Sequence, residues 1–490
     1  MSYHSHRPEL HVSPEQGVLN APAGALKVGS NWHIFHQYQP TVGAPARIAH
    51  QYAEHLPFDW DICDDVLAAA EGEVKVRAGS VVGLDDNTVE LFFTSITDVG
   101  TQIHVATIAD LDDTTDTVSE DALALDPGVV RHGAVVSDRD GFVDFRSPCV
   151  LVDWQNDAFA GWLMLAVTGS QDEPRLVVLD SPDRREWRVL GAMAFSGTSG
   201  LEGISRIVSP RMIRLRDEVD GQRYDILLVT LEHEGIDISG YLVGKLSGTN
   251  FEVKTPFTRL DFGHDFTRPR NTNVVVGPDA ELPDFSSAQL FGLLNGIGRF
   301  DDPHEHPSLE AEGWVNCLSL PRLVTLQDGL LYQTPAPGLP QFVSQSSRAA
   351  MYSAIIDTTA QDATVQVELI DGNGAIAATV SHLGDTIELD RSMNSAHLGD
   401  HIAEGPLVAA DTDSMTIIVD GSTVEVFADG GALAMASRVY FDNGFAQFRV
   451  HKHGSAHVER DMEIFPIDYS ELSKRGPAYG MEPPLDGEYD

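Results

Sequence analysis

Short hydrophobic runs recur along this chain, and their spacing is the feature that most constrains its fold. They are rich in Val, Ile, Leu and aromatic residues, and clusters of Gly, Asp, Asn and Pro separate them. Examples are WHIFHQY (32–38), VELFFTSI (89–96), WLMLAV (162–167), RLVVLD (175–180), YDILLVT (224–230) and QLFGLLNGI (289–297). Such runs are typical of β-strands. Long stretches with a helical period are scarce; the best candidate, 111–126, is also consistent with a loop. The sequence therefore predicts an all-β protein.

The runs between about 20 and 335 fall into groups that repeat roughly every 50 to 65 residues, a spacing that suggests propeller blades. Five such groups fit. Because a single blade cannot bury both of its faces, blades close radially around a central channel. We therefore predict a five-bladed β-propeller over residues 1–338, with one axial pocket where the inner strands converge.

The sequence pattern changes after PAPGLPQF (335–342). Residues 339–490 are predicted to form a second all-β unit, a β-sandwich with a C-terminal tail. Within it, SMTIIVDGSTVEVFADGG (414–431) contains two alternating runs joined through Asp420-Gly421. An Asp-Gly pair between alternating runs is a strong signal for a β-hairpin.

Charge and cysteine usage narrow the class of partner. The chain has 74 acidic and 32 basic residues, a formal net charge of -42, which repels phosphate backbones and anionic membranes. We therefore expect no nucleic acid and no membrane partner; a neutral sugar is compatible with this charge.

Three cysteines, Cys63, Cys149 and Cys317, form neither a disulfide framework nor a zinc spacing. With no visible signal peptide and no long apolar span, the chain is expected to be cytoplasmic.

Several segments resemble, in order, those of glycoside hydrolase family 32, the β-fructosidases that include invertases, inulinases and levanases. GVLNAPAGAL (17–26) stands where that family has Asn-Asp-Pro-Asn-Gly, and WHIFHQYQP (32–40) is similar to its next strand. The other similar segments are VRAGSVV (76–82), VDFRSPCV (143–150), RIVSPRMIRL (206–215), LDFGHDFT (260–267), GWVNCLSLPRLVTLQDGLLYQTP (313–335), LDRS (389–392) and VDGSTVEVFADGG (419–431). The resemblance implies the same fold, a five-bladed propeller followed by a β-sandwich.

The resemblance also shows which catalytic groups are missing. Retaining glycosidases need two carboxyl groups about 5 Å apart, a nucleophile and an acid/base. Here the family's nucleophile position is Ala21 and its acid/base position is Val208. The third carboxylate, in the family's Arg-Asp-Pro segment, is replaced by Ser147, and Ala23 replaces a signature Asn. We therefore expect activity on fructosides to be impaired or absent.

Other pocket positions of the family are retained, and the resemblance implies that they bind substrate. They are Asn20, Gln37, Trp60, Ser80 and Arg146. Each also has a structural interpretation: blade packing for Trp60, a local ion pair for Arg146, and turn or strand polar groups for Asn20 and Gln37.

Three functional hypotheses stay open at this point. The first is a noncatalytic protein that binds a fructoside-like carbohydrate or acts in regulation. The second is an active, divergent glycosidase that uses relocated carboxylates, with Asp144 and Glu202 as the weak candidates. The third is a structural or assembly role. We expect no cofactor and no metal, and the sequence leaves open the sugar, the oligomeric state and whether the pocket is accessible.

Overall fold

The structure, a computed structural model, describes residues 5–84, 87–116, 118–155, 158–233, 236–275, 283–296, 302–360, 362–407 and 413–467. Strands dominate these ranges, which confirms the all-β prediction. The helices are α1 (Asp113–Asp116), α2 (Pro307–Glu312) and α3 (Leu339–Gln345), with 3-10 turns at Pro303–Glu305, Ser395–His397 and Asp429–Gly431. The helical candidate at 111–126 forms only the single turn α1, since its Asp and Thr residues are poor helix formers. Among the described residues, no helix combines the length and apolar character needed to cross a membrane.

The described strands before residue 336 form five blades. The first blade is β1 (Gly17–Val28), β2 (Asn31–Gln39), β3 (Arg47–Ala53) and β4 (Asp61–Ile62), and the second is β5 (Lys75–Gly83), β6 (Val89–Thr97), β7 (Gly100–Ile108) and β8 (Val129–Val136). The third is β9 (Arg146–Gln155), β10 (Ala158–Thr168), β11 (Arg175–Ser181) and β12 (Arg188–Ala192). The fourth comprises β13 (Ala194–Ser196), β14 (Ile207–Arg216), β15 (Arg223–His233), β16 (Ile236–Ser247) and β17 (Asn250–Arg259). The fifth is built on β18 (Phe266–Val274), β19 (Ala288–Leu294), β20 (Trp314–Val315), β21 (Cys317–Leu318), β22 (Arg322–Gln327) and β23 (Leu330–Pro335).

The strands that line the axis are β1, β5, β9, β14 and β18, and each contacts the next around the ring. The ring closes where β1 pairs with β18 in parallel, with Ala25 opposite Thr272, so that the first and fifth blades share one sheet. This closure confirms the predicted five-bladed propeller and leaves no exposed inner edge.

Apolar clusters fill the spaces between blades, and the period of two along a strand explains them. In β10, Met164 and Ala166 pack toward the second blade, whereas Leu165 and Val167 pack toward the fourth. Because both faces of such a strand are buried, the sequence WLMLAV is an unbroken apolar run rather than an alternating one.

The remaining strands form two sheets of a sandwich. In chain order they are β24 (Ala350–Asp357), β25 (Thr364–Asp371), β26 (Ile376–His382), β27 (Thr386–Asp390), β28 (Ala403–Pro406), β29 (Asp413–Asp420), β30 (Thr423–Ala428), β31 (Leu433–Arg438), β32 (Phe445–His453) and β33 (His457–Ile464). One sheet has the order β31-β30-β29-β24-β33 and the other β28-β27-β26-β25-β32. The predicted hairpin is β29–β30, in which Asp420 pairs with Thr423 and Gly421 has a positive φ of 56°.

The N-terminal segment 5–16 crosses onto the sandwich and helps hold the two units together. The carbonyl of His6 accepts hydrogen bonds from the backbone N–H and the hydroxyl of Ser422 at the hairpin, at 2.9 and 2.8 Å. His11 is fully buried between Asp420 and Glu425, at 2.8 and 3.2 Å. Residues 5–16 therefore belong to the interface between propeller and sandwich rather than to a blade.

Candidate functional site

A cavity of about 780 Å³ opens at the end of the propeller where the inner strands begin. Asn20 of β1, Arg77 of β5 and Arg268 of β18 all line it, as does Gln37 near the end of β2. The pairing of inner strands around one axis thus brings together residues that are far apart in sequence, and we refer to this cavity as the axial pocket.

Two of the predicted binding residues, Asn20 and Gln37, lie in the wall of the axial pocket. Gln37 Oε1 accepts a hydrogen bond of 2.9 Å from the Ala78 N–H, which fixes the amide and leaves its Nε2 donor without a partner among the described residues. Asn20 Nδ2 reaches Gln39 Oε1 only at 3.4 Å, and Asn20 Oδ1 is buried without a described hydrogen-bond partner. Both side chains therefore have hydrogen-bonding capacity left for a ligand.

Trp60 and Ser80 do not line the axial pocket. Trp60 packs on the apolar cluster between the fifth and first blades, beside Leu19 and Leu293. Ser80 is 7% exposed, and its Oγ accepts a hydrogen bond of 3.1 Å from the Val150 N–H, which ties β5 to β9. These positions suit the packing interpretation of Trp60 and give Ser80 a structural hydrogen bond.

Arg146 does not line the axial pocket either, and its side chain holds a loop. Its guanidinium donates to the carbonyls of Asp144, Gly169 and Ser170 at 2.9, 2.6 and 3.0 Å. Burial, and to a lesser extent the nearby Arg77, lowers the pKa of Arg146. Its main contacts are thus backbone carbonyls of the loop next to Gln171, which itself lines the pocket.

None of the three positions that the resemblance assigns to the family carboxylates lines the axial pocket, and their side chains carry no ionisable group. Ala21 follows Asn20 and is 6% exposed, packed in the apolar cluster between the first two blades. Ser147 has a positive φ of 55° and its N–H donates to Thr94 Oγ1 at 3.0 Å. Val208 is half-buried and pairs with Thr230.

The substitute carboxylates considered from the sequence do not line the axial pocket. Glu202 is exposed and accepts hydrogen bonds from Ser199, from its N–H at 2.9 Å and its hydroxyl at 3.0 Å. Asp144 has a positive φ of 57°, and that left-handed backbone breaks the simple strand alternation by which it would share a face with Arg146.

Three other carboxylates among the described residues line the pocket. Asp265 is paired with Arg391 of the sandwich, and the remaining two are Glu232 at the end of β15 and Asp237 at the start of β16. They face each other across this strand pair. Glu232 forms an ion pair of 2.6 Å with Arg206, and Asp237 one of 3.4 Å with Arg268. The sequence reasoning missed them, although the acidic stretch that follows YDILLVT was a visible signal.

Two basic residues of β5, Lys75 and Arg77, were also missed. They are two residues apart, so they project from the same face of the strand, and both line the axial pocket. Neither forms an ion pair or a hydrogen bond within the described part of the chain. Burial lowers the pKa of Arg77, and the like charge of Arg268 lowers it further, with Glu232 opposing. Arg77 lies in VRAGSVV (76–82), the segment from which only Ser80 was predicted to bind substrate.

One group of side chains in the sandwich has ligand types suited to a metal: His382, Asp413 and Asp429, whose ligand atoms lie within 4.8 Å of one another. These groups already have hydrogen-bond partners: Asp413 accepts from Thr358, and His382 pairs with Asp429. His382 Nε2 is 3.0 Å from Asp429 Oδ1, and His382 Nδ1 accepts from the Gly384 N–H at 3.2 Å. This arrangement accounts for the histidine without an ion, and the expectation of no metal stays a prediction.

Comparison with known proteins agrees with this architecture. The N-terminal domain model of glycosyl hydrolases family 32 matches residues 11–335, and the family's C-terminal model matches residues 344–466. A sucrose-6-phosphate hydrolase from Bacillus subtilis is 29% identical over 355 residues, which cover 68% of this chain and 66% of that protein. A raffinose invertase from Escherichia coli is 23% identical, covering 92% of this chain and 93% of the relative.

Solved structures share the fold at low identity. Fructan 1-exohydrolase IIa from Cichorium intybus superposes with a TM-score of 0.72 at 16% identity, covering 94% of this chain and 97% of that one. A sucrose-6-phosphate hydrolase from Lactobacillus gasseri gives a TM-score of 0.67 at 16% identity, with 92% of each chain covered. With both domain models matched in order over most of its length, this chain belongs to glycosyl hydrolases family 32.

Proposed function

We propose that the chain binds a fructoside-type sugar in its axial pocket and hydrolyses fructosides weakly or not at all. The observation that carries this proposal is that Ala21, Ser147 and Val208 occupy the three positions that the resemblance assigns to the family's carboxylates, while an open, polar pocket remains in the propeller. Without a nucleophile and an acid/base at these positions, the usual two-step displacement has no groups to carry it. Sugar binding needs only hydrogen bonds and shape, and both remain.

The pocket wall suits a polyol. The free Nε2 of Gln37 is a donor held in place by the bond of its Oε1 to Ala78, so little orientational freedom is lost when it meets a hydroxyl. Asn20 Oδ1 is an acceptor without a described partner, and leaving such an atom unsatisfied is costly. A ligand hydroxyl that brought a donor within reach of Asn20 would remove that cost.

Lys75 and Arg77 extend the proposal to sugars that carry an anionic group. In a chain with 42 more acidic than basic residues, two adjacent cations without carboxylate partners are unusual, and a phosphate would pair with both. Sucrose-6-phosphate hydrolases are among the relatives of this chain. We therefore propose a phosphorylated fructoside as the ligand, with the phosphate against the face of β5.

Hydrolysis assays test the loss of chemistry. Purified protein is incubated with sucrose, sucrose 6-phosphate, and short inulin and levan oligomers, beside the variant Ala21→Asp/Ser147→Asp/Val208→Glu. We expect little or no turnover by the natural sequence and a gain in the triple variant. Enzyme-like turnover by the natural sequence would contradict the proposed impairment and show that other groups do the chemistry.

Calorimetric titration tests the ligand class. We expect sucrose 6-phosphate to bind more tightly than sucrose, and Lys75→Ala or Arg77→Ala to remove that difference while leaving sucrose binding unchanged. Arg175→Ala, at an exposed arginine of β11, is the matched control. Equal affinities for the two sugars would rule out the phosphate proposal, and the absence of any sugar binding would rule out the binding function.

Glu232 and Asp237 support a second candidate, an active glycosidase with relocated carboxylates. Residues directly opposite in an antiparallel pair have Cβ atoms about 4.5–5.5 Å apart, close to the carboxyl separation of retaining enzymes, about 5–5.5 Å. Their ion pairs with Arg206 and Arg268 would have to open first. Turnover that is abolished by Glu232→Gln and Asp237→Asn, but not by Glu202→Gln, would establish this candidate.

The location of the protein and its partners also belong to this proposal. A cytoplasmic location, a carbohydrate partner, and no nucleic acid or membrane partner stay predictions from the sequence. Fractionation of cells that express the full chain checks the first of these directly.

A further inference from the structure

Two buried arginines meet inside the propeller channel, below the axial pocket. Arg211 lies on β14 and Arg270 on β18, the inner strands of the fourth and fifth blades. They are 2% and 3% exposed. An arginine is charged at any ordinary pH, so two positive charges are held here away from water.

Neither arginine has a carboxylate partner among the described residues. Arg211 donates to the carbonyls of Gly79 and Pro210 at 2.7 and 2.5 Å. Arg270 donates through Nη1 to the carbonyls of Pro269 and Arg268 at 3.0 and 3.3 Å. Carbonyl dipoles satisfy N–H groups but do not neutralise a net charge, so the two guanidiniums remain uncompensated.

One N–H donor of Arg270 also has no hydrogen-bond partner among the described residues. This donor is Nε, which is buried. Burial holds the pKa of Arg270 well below its usual range, and the like charge of Arg211 lowers it further. A protein seldom keeps a buried donor and a buried charge unsatisfied at the same point, because both are costly.

A small cavity lies between these two side chains. Arg211 and Arg270 both line it, with Ala23, Ser80, Cys149 and Asn271 completing part of its wall. Its free space is sufficient for about one water-sized particle. A phosphate or a carboxylate is too large for that space, whereas a single-atom anion is only slightly larger than a water molecule and accepts hydrogen bonds from several directions.

We propose that the channel binds a monatomic anion, with chloride as the natural species, between Arg211 and Arg270. The anion compensates two charges from different blades and accepts from the free Nε, so it links the inner strands of the fourth and fifth blades. The site is separate from the axial pocket, and its existence does not depend on the proposed sugar ligand.

Bromide provides a direct test, because its anomalous scattering identifies it in a crystal. Crystals of the full chain grown or soaked in sodium bromide are expected to show a peak between the two guanidiniums, within hydrogen-bonding distance of both. A channel with a water or no peak at that point, in crystals with bromide ordered elsewhere, would overturn the proposal.

Thermal unfolding gives an independent measurement in solution. At equal ionic strength, sodium chloride and sodium bromide are expected to raise the Tm relative to sodium gluconate, whose anion is too large for the cavity. Arg270→Met should abolish this difference, and the exposed control Arg175→Met should keep it. The same halide effect in wild type and Arg270→Met would contradict the site.

If Arg270→Met does not fold, the bromide crystal and the effect of halide on the Tm of the wild type still decide the question. Cys149 offers the main rival explanation, since its thiol lies beside Arg211 and a thiolate there would supply a negative charge. Thiolate absorbance that is lost in Cys149→Ser, together with no halide effect on the Tm, would assign the charge to the cysteine and refute the anion.

Discussion

Two regions of the molecule bury arginines: the interface between propeller and sandwich, and the propeller channel. The arginines of the two regions are similarly buried but have different partners. Arg322 lies between Asp261 and Glu425, at 2.8 and 2.9 Å, and Arg391 between Asp265 and Asp400, at 2.6 and 2.8 Å. Arg211 and Arg270 are similarly buried but have no carboxylate partner among the described residues; they contact backbone carbonyls and, for Arg211, the Cys149 thiol. Arg322 and Arg391 are therefore balanced within the chain, whereas the two channel arginines depend on the proposed anion.

The same contrast extends to the axial pocket. There Arg206 and Arg268 have carboxylate partners, whereas Lys75 and Arg77 have none within the described residues. Charges that are paired internally maintain the fold, and the unpaired ones are available to ligands. Each of the following predictions tests this distinction, beginning with the largest effect.

The strongest test removes one arginine from each region. Arg322→Met leaves Asp261 buried without a counter-ion and Glu425 with His11 alone, and breaking a buried pair in this way costs about 3–5 kcal/mol. In a halide-free buffer, Arg270→Met removes one of two repelling charges, so we expect no comparable loss. Urea unfolding measures both free energies. Equal losses for the two variants would break the comparison.

The second prediction concerns the pH dependence of the interface. Burial alone would lower the pKa of His11, but hydrogen bonds to Asp420 and Glu425, and their charges, raise it to about 9. Since the unfolded pKa is about 6.5, the protonated histidine stabilises the fold fully below pH 6.5, and this contribution is lost as the pH rises to about 9. The loss is about 3 kcal/mol in magnitude.

Urea unfolding of wild type and His11→Gln at several pH values measures this contribution. The wild type should lose free energy of unfolding between pH 6.5 and 9, and the variant should lose less because glutamine does not titrate. Parallel pH profiles for the two proteins would show that His11 is not the source.

The third prediction concerns the axial pocket. If Arg77 binds a phosphate, Arg77→Ala removes a charge-assisted hydrogen bond worth about 1.5–3 kcal/mol, or roughly 10- to 100-fold in the Kd for sucrose 6-phosphate. Because Arg77 makes no ion pair or hydrogen bond within the described structure, the variant should keep the stability of the wild type. A large loss of stability would show that Arg77 serves the fold, as Arg322 does.

The smallest expected effect compares two glycines. Gly421, in the hairpin loop of the interface, has a φ of 56°, and a Cβ there would lie 2.6 Å from the His6 carbonyl oxygen. Gly29 has a φ of 57° with open space around it. The left-handed conformation costs an alanine about 1–2 kcal/mol at either position. We expect Gly421→Ala to lose more than Gly29→Ala, since only the first also displaces the N-terminal segment; equal losses in urea unfolding would contradict this.

Much of the fold was accessible from the sequence. The unbroken run WLMLAV predicted β10 because strands between blades bury both faces, and the turn signal at Asp420-Gly421 located the β29–β30 hairpin. Prediction of the candidate site was less complete. Asn20 and Gln37, which the family resemblance implied, line the pocket, whereas Trp60 and Ser80, implied in the same way, lie outside its lining.

Other residues of the site were missed for a physical reason. Glu232 and Asp237 lie together because β15 and β16 pair antiparallel, and their place in the pocket depends on the whole ring of blades. Arg77 and Arg268 are 191 positions apart in sequence but approach each other across the axis. No local pattern encodes a distance of that kind.

The sequence by itself determined the strands, the order of the two units and the absence of carboxylates at positions 21, 147 and 208, because these depend on side-chain chemistry and on periodicity along one strand. The tertiary structure alone decided which charges are paired. Whether an arginine meets a carboxylate, as Arg322 does, or another arginine, as Arg270 does, depends on which strands lie side by side once the ring has closed.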